Sequence, residues 1–306
     1  MRKFLFTLVT GLTAILFASG GYLIYLQNQN IQLYAKELLG IQQNYLKLES
    51  EYDRLKEKTK NVSQTVVLAK GDVAKTKQIG ETITDYTKQV DGDISVYYKN
   101  LATDESITVD PDRKYYMASL YKVILVLYLL DKIQAGNASF SDRVGTSSAT
   151  LDVAIDKIIT ESNNEYAQTL ASQYGWKQIE LAMKEKLGID FSFDSDLQIS
   201  IRNVEKLFEE ISYSFKVSND DSQYLLLLMN NQKKTNKLPK YLPKNIYSHN
   251  KTGELDGYSH DAAIFYTPRA NYILIFMSKS KNPSITDELM AKMSKEIYEV
   301  LNRSSS

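Results

Sequence analysis

With 306 residues, 43% hydrophobic and 24% charged, the chain has an ordinary globular composition and room for one large domain or two modest ones. Its 37 basic and 37 acidic residues cancel, leaving no footprint for a nucleic-acid partner or a polybasic membrane patch. There is no cysteine, and His249 and His260 are the two histidines, so disulfides, thiolate nucleophiles and cysteine-zinc sites are excluded and a Ser-His-Asp triad has few candidates. With neither an HExxH nor a GxxxxGK[ST] pattern, no metal or cofactor is expected.

The N-terminus reads Arg2-Lys3 and then runs from Phe4 to Leu26 without a charge. As a helix that stretch reaches roughly 33 Å, enough for a hydrocarbon core of about 30 Å. A cleaved signal peptide is the alternative, with small residues at Ala18-Ser19-Gly20. The apolar run resumes at Tyr22–Leu26, which favours an uncleaved anchor over 1–26. Positive charge before the span and none directly after it puts the rest of the chain outside the cell membrane, a single-pass topology. A heptad seam follows: Ile31, Tyr34, Leu38, Ile41, Tyr45, Leu48, Tyr52, Leu55, Thr59 and Val62 recur three and four residues apart. This predicts a coiled-coil stalk over 27–65, pairing with a second copy or with an envelope protein. A single amphipathic helix lying on its own domain is the alternative.

From about residue 70 the pattern is globular. Helices are predicted over 72–90, 119–134, 150–160, 164–173, 176–187, 200–214 and 219–231. A last helix, 285–302, is expected to bury Leu289, Met293, Ile297 and Val300. "DISVYYKNL" and "ESITVD" read as a hairpin around Ala102-Thr103-Asp104, and "DAAIFYT" and "NYILIFMSK" as another around Pro268-Arg269. Strands at both ends with helices between them predict an α+β domain over 70–303.

Three short patterns carry the chemistry. Ser119-Leu120-Tyr121-Lys122 opens a helix whose next eight residues, Val123 to Leu130, are all apolar, too short to cross a bilayer but right for a buried helix. A buried lysine needs a reason. Residue i+3 shares a helix face with residue i, so Lys122 reaches back to the Ser119 hydroxyl. Burial lowers a lysine pKa, and a neutral amine can take the hydroxyl proton. A helix cap followed by a snorkelling lysine is the plain alternative. Ser162-Asn163-Asn164 lies in a turn between helices, where an ordinary N-cap would also fit. Lys251-Thr252-Gly253 lies in the extended segment "YSHNKTGEL", where a lysine and a hydroxyl suit a carboxylate and a glycine lets a backbone approach. A solvated strand end is the alternative there.

Together and in this order, the three patterns resemble the S-x-x-K, S-D-N and K-T-G set of serine β-lactamases and penicillin-binding proteins, closest to the class A-type branch. The resemblance spans roughly 70–303. It implies a helical lobe and a five-stranded antiparallel sheet backed by terminal helices, with the site between them. By resemblance, Ser119 is the acylated nucleophile, Lys122 its proton partner and Ser162 a relay toward the leaving group. Asn164 binds the substrate amide, while Lys251 and Thr252 hold the substrate carboxylate and Gly253 admits the substrate backbone. The N–H groups of Ser119 and Glu254 form the oxyanion hole. His260 falls near where many class A enzymes place a carboxylate-binding arginine, although a strand histidine beside Asp261 also fits a structural role. Two departures matter. Asn163 stands where the family has aspartate, and no E-x-x-L-N glutamate loop, which drives deacylation in class A enzymes, occurs between Asn164 and Lys251. Where that loop would fall the chain runs "GIDFSFDSDLQISIRNVEKL", in which Asp194 or Asp196 is the candidate substitute, a solvated loop acid being the plain alternative. The implied function is an extracytoplasmic serine acyl-transferase acting on peptidoglycan stem peptides or β-lactams. An envelope scaffold that binds without turnover and a true β-lactamase are the alternatives.

Overall fold

A computed structural model describes residues 72–193 and 196–303. The anchor expected over 1–26 and the stalk over 27–65 lie outside the described residues.

Five strands, β1 (Gly92–Asn100), β2 (Ser106–Val109), β5 (Tyr247–Leu255), β6 (Tyr258–Tyr266) and β7 (Asn271–Ser280), form an antiparallel sheet in the order β2-β1-β7-β6-β5. Side chains alternate between its faces with period two. Val96, Tyr98, Ala263, Phe265, Leu274 and Phe276 point to one side, against Ile79 and Ile83 of α1 (Val73–Thr87) and Met290, Met293 and Ile297 of α8 (Pro283–Asn302). Tyr97, Ala262, Ile264, Ile273, Ile275 and Met277 point to the other. There α6 (Ile201–Tyr213) lays Val204, Leu207, Phe208 and Ile211 across β7, β6 and β1. Covered on both faces, β7 reads as an almost unbroken apolar run. The expected α+β class and five-stranded sheet are therefore present. On α8, Met293, Ile297 and Val300 are buried as expected, but Leu289 is half-buried and Met290 takes the inward place.

The helical lobe is built around α2 (Tyr121–Gln134), whose residues from Tyr121 to Leu130 are all buried. A helix apolar on every side must be enclosed, and α3 (Leu151–Thr160), α5 (Trp176–Leu187), α7 (Asn219–Asn230) and α4 (Asn164–Tyr174) surround it. Two features went unread in the sequence. One is a ribbon of two three-residue strands, β3 (Lys114–Tyr116) and β4 (Gln198–Ser200), too short to show alternation. The other is the Asp256-Gly257 turn joining β5 to β6, with φ of 44° and 88°, the positive pair that a two-residue hairpin turn requires.

Candidate active site

Ser119 lies in a 3₁₀ turn, Ala118–Leu120, that leads straight into α2. The ribbon fixes the entry to this turn: the Met117 N–H donates to the Leu197 carbonyl at 2.6 Å, just before β4. Ala118 is held at φ 47°, a left-handed conformation that costs a residue with a Cβ about 1–3 kcal/mol and needs its surroundings to hold it. Part of that support is β5. A Cβ on Gly253 would stand 3.0 Å from the Met117 carbonyl oxygen and 3.2 Å from the Ala118 Cβ. The glycine of Lys251-Thr252-Gly253 thus lets β5 close on the turn that carries Ser119.

Lys122 is fully buried and its Nζ faces four oxygens. Two are pure acceptors at 2.6 Å, the Ser162 carbonyl and Asn164 Oδ1. The others are hydroxyls, Ser119 Oγ at 3.0 Å and Ser162 Oγ at 3.2 Å. A neutral amine has two N–H groups and one lone pair. Its N–H groups match the two acceptors, which leaves the lone pair for a hydroxyl proton. From the far side, Lys251 Nζ lies 2.9 Å from the same Ser162 Oγ and donates to the Thr252 carbonyl at 2.9 Å. Ser119, Lys122, Ser162 and Lys251 therefore form one unbroken chain of proton-bearing atoms. Ser162 can serve both lysines because its backbone turns left-handed, φ 58°, between α3 and α4. Asn163 caps α4 by accepting the Tyr166 N–H at 2.9 Å, a task amide and carboxylate perform about equally well. The change from aspartate thus leaves the turn intact.

Burial, and after it the charge of Lys234, bring the Lys122 pKa down to about 8. Lys251 is held well below the ordinary lysine range by burial, with the charges of Lys122 and Lys234 adding to it. Below pH 8 Lys122 carries a proton and has no lone pair to offer Ser119; above it the amine is free. The acylation rate of the full-length chain is accordingly expected to rise about tenfold per pH unit up to pH 8 and then level off. A stopped-flow profile that stays flat between about pH 6 and 9 would remove Lys122 as the base.

A cleft of about 480 Å³ opens over Ser119, lined among others by Tyr116, Tyr121, Asn164, Gln168, Trp176, Leu197 and Glu254. Ser119, Asn164 and Glu254 reach it as the sequence suggested. With its carboxamide oxygen on Lys122, Asn164 has its NH₂ group to offer a substrate carbonyl. Lys251 and Thr252 are buried, at 0% and 1% exposure, behind that lining, so the place the structure gives Lys251 is in the proton chain. His260 needs correcting. It is fully buried, Nε2 bonds the Tyr116 carbonyl at 2.8 Å, and Nδ1 accepts the Ser278 N–H at 3.2 Å. Burial also drops its pKa to about 4, so the ring is neutral and ties β3 to the sheet instead of holding a carboxylate. Asp196 is exposed and absent from the cleft lining, and Asp194 lies outside the described residues. Among the described residues that line the cleft, Glu254 is the one acid. Sequence reasoning missed Lys237, fully buried although it sits in the polar run "KKTNKLPK", and the aromatic wall of Tyr121 and Trp176, whose rings lie 5.4 Å apart.

The model of a beta-lactamase enzyme family matches residues 77–301. The chain belongs to that family. Its fold is similar to that of a β-lactamase from Chitinophaga pinensis, at TM-score 0.68 and 17% identity over 74% of this chain and 100% of that one. A class A β-lactamase from Bacteroides cellulosilyticus matches at TM-score 0.65 and 20% identity, covering 74% of this chain and 98% of that one. A mutant of PBP-A, solved as an acyl-enzyme complex with penicillin G, matches at TM-score 0.65 and 19% identity, with 74% and 96% covered. No curated protein matches the sequence. Membership of the β-lactamase family accounts for the α+β fold, with its five-stranded antiparallel sheet and surrounding helices.

Proposed function

We propose that this chain is a membrane-anchored, extracytoplasmic serine acyl-transfer enzyme that forms an acyl-Ser119 intermediate with D-Ala-D-Ala-like peptides or β-lactams and releases it slowly. One observation carries the proposal: Lys122 Nζ stands 3.0 Å from Ser119 Oγ, and Ser162 Oγ links it to Lys251. In the acylation step the Ser119 proton passes to Lys122 Nζ as Oγ attacks the acyl carbon. The C–N bond breaks, and the proton travels from Lys122 through Ser162 Oγ to the departing nitrogen. The N–H groups of Ser119 and Glu254 receive the developing oxyanion. The uncharged stretch Phe4–Leu26 after Arg2-Lys3 supports the anchor and the outward topology.

Deacylation needs a base that activates water. Glu254, the acidic residue on the lining, is tied up by two lysines, with its Oε1 2.9 Å from Lys237 and its Oε2 3.6 Å from Lys234. A long-lived adduct follows. Full-length protein treated with a fluorescent penicillin is expected to label and to keep the label for many minutes after excess competitor is added, while a chromogenic cephalosporin is hydrolysed slowly at most. Rapid hydrolysis would make it a β-lactamase. Absence of label from about pH 6 to 9 would favour a binding scaffold whose stalk recruits a partner.

A further inference from the structure

The cleft runs on past Ser119 along α4. Asn164, Gln168 and Ser172 all reach its lining, and a spacing of four residues puts them on one ridge of that helix. Eight residues of α-helix rise about 12 Å, the span of three or four residues of an extended chain. The ridge begins beside the nucleophile: Asn164 Oδ1 accepts from Lys122 Nζ at 2.6 Å, and the same Nζ lies 3.0 Å from Ser119 Oγ. It leads away from Ser162, which sits in the turn before α4 and, in the proposed mechanism, passes the proton to the departing nitrogen. Gln168 and Ser172 are exposed, and neither makes a hydrogen bond to another described residue. Trp176, half-buried at the start of α5, adds an aromatic surface to the lining. Its ring is fixed by neighbours, 5.4 Å from Tyr121 and 5.7 Å from Phe193. Among the described residues, no charged side chain of α2, α4 or α5 lines the cleft.

We propose that this end of the cleft is a subsite for the acyl part of the donor, selecting an uncharged, amide-bearing chain that sets an apolar or aromatic group against Trp176. Free amide and hydroxyl groups on one side serve the donor's own amides, and a rigid aromatic surface rewards apolar contact. The acyl part is the one that extends here, because the proton relay holds the leaving group at Ser162. The inference rests on the proposed acyl-transfer function.

The test compares benzylpenicillin with the acetamido analogue that lacks its phenyl ring, the β-lactam, its carboxylate and the side-chain amide being common to both. Second-order acylation rates of the full-length chain are measured by competition with a fluorescent penicillin. Benzylpenicillin is expected to react about tenfold faster. The ratio should fall to within about twofold of unity in Trp176→Ala, while Trp176→Phe, which keeps an aromatic face, retains most of it. Trp176 also packs against Tyr121 and Phe193, so a second variant is included in case the first does not fold. Ser172→Asp, at an exposed position with no bond to lose, places a charge in the subsite and should lower the ratio about threefold or more. A ratio near unity in the parent chain, with both donors reacting, overturns the subsite and leaves the acyl-transfer proposal standing. So does a ratio that survives Trp176→Ala, or one that survives Ser172→Asp where Trp176→Ala does not fold. Reaction with neither donor from about pH 6 to 9 removes the acyl-transfer proposal and this inference with it.

Discussion

Replacing Ser119 by alanine is expected to abolish covalent labelling of the full-length chain by a fluorescent penicillin at every pH. In the proposed mechanism the attacking atom is the Ser119 Oγ, and the other hydroxyl in reach of Lys122, Ser162 Oγ, is committed to the two lysines. The substitution removes one hydrogen bond to Lys122 and makes no clash. Its effect on stability is therefore limited to about 1 kcal/mol, a melting shift of a few degrees. Loss of label with the melting transition preserved separates chemistry from folding. Residual labelling at the parent rate would mean that another nucleophile reacts.

Lys122→Met is expected to slow acylation roughly 10²–10⁴-fold, the usual worth of a positioned general base. Methionine keeps the length and apolar body of the side chain, so α2 should stay packed, although the Ser162 carbonyl and Asn164 Oδ1 each lose a donor. Unpaired buried acceptors cost about 1–3 kcal/mol each, partly offset because no amine is then buried. What distinguishes a base from a structural prop is the pH profile. The rise toward pH 8 should vanish in Lys122→Met and persist in a variant that weakens packing elsewhere in α2, such as Leu125→Ala. A slow variant that keeps the same rise would assign the proton to another group, with Lys251 the first alternative.

Much of this was legible in the sequence because local pattern and tertiary role coincide. The eight apolar residues after Lys122 predict an enclosed helix, and α2 is buried along that whole length. Strands β1, β2, β6 and β7 announce themselves through β-branched and aromatic runs, and the order of the three motifs identifies which serine and which lysines to bring together. What stayed hidden depends on who packs against whom. His260 belongs to a strand covered on both faces, where alternation no longer separates inside from outside, so its burial could not be read. Lys237 sits in a run of polar residues that normally marks solvent, yet it is enclosed by Ser259, Glu254 and Asp287. The strained Ala118 and the close approach of Gly253 to Met117 arise where segments more than a hundred residues apart meet, and no local signal encodes such a meeting.

The most direct measurement is to expose the full-length chain briefly to benzylpenicillin above pH 8, where Lys122 is neutral, digest it, and locate the mass increment by tandem mass spectrometry. One penicilloyl group on the peptide containing Ser119, absent after Lys122→Met treated for the same time, is the expected result. An increment confined to a different serine, such as Ser248 or Ser278 in the other S-x-x-K patterns, or none at all, would contradict it.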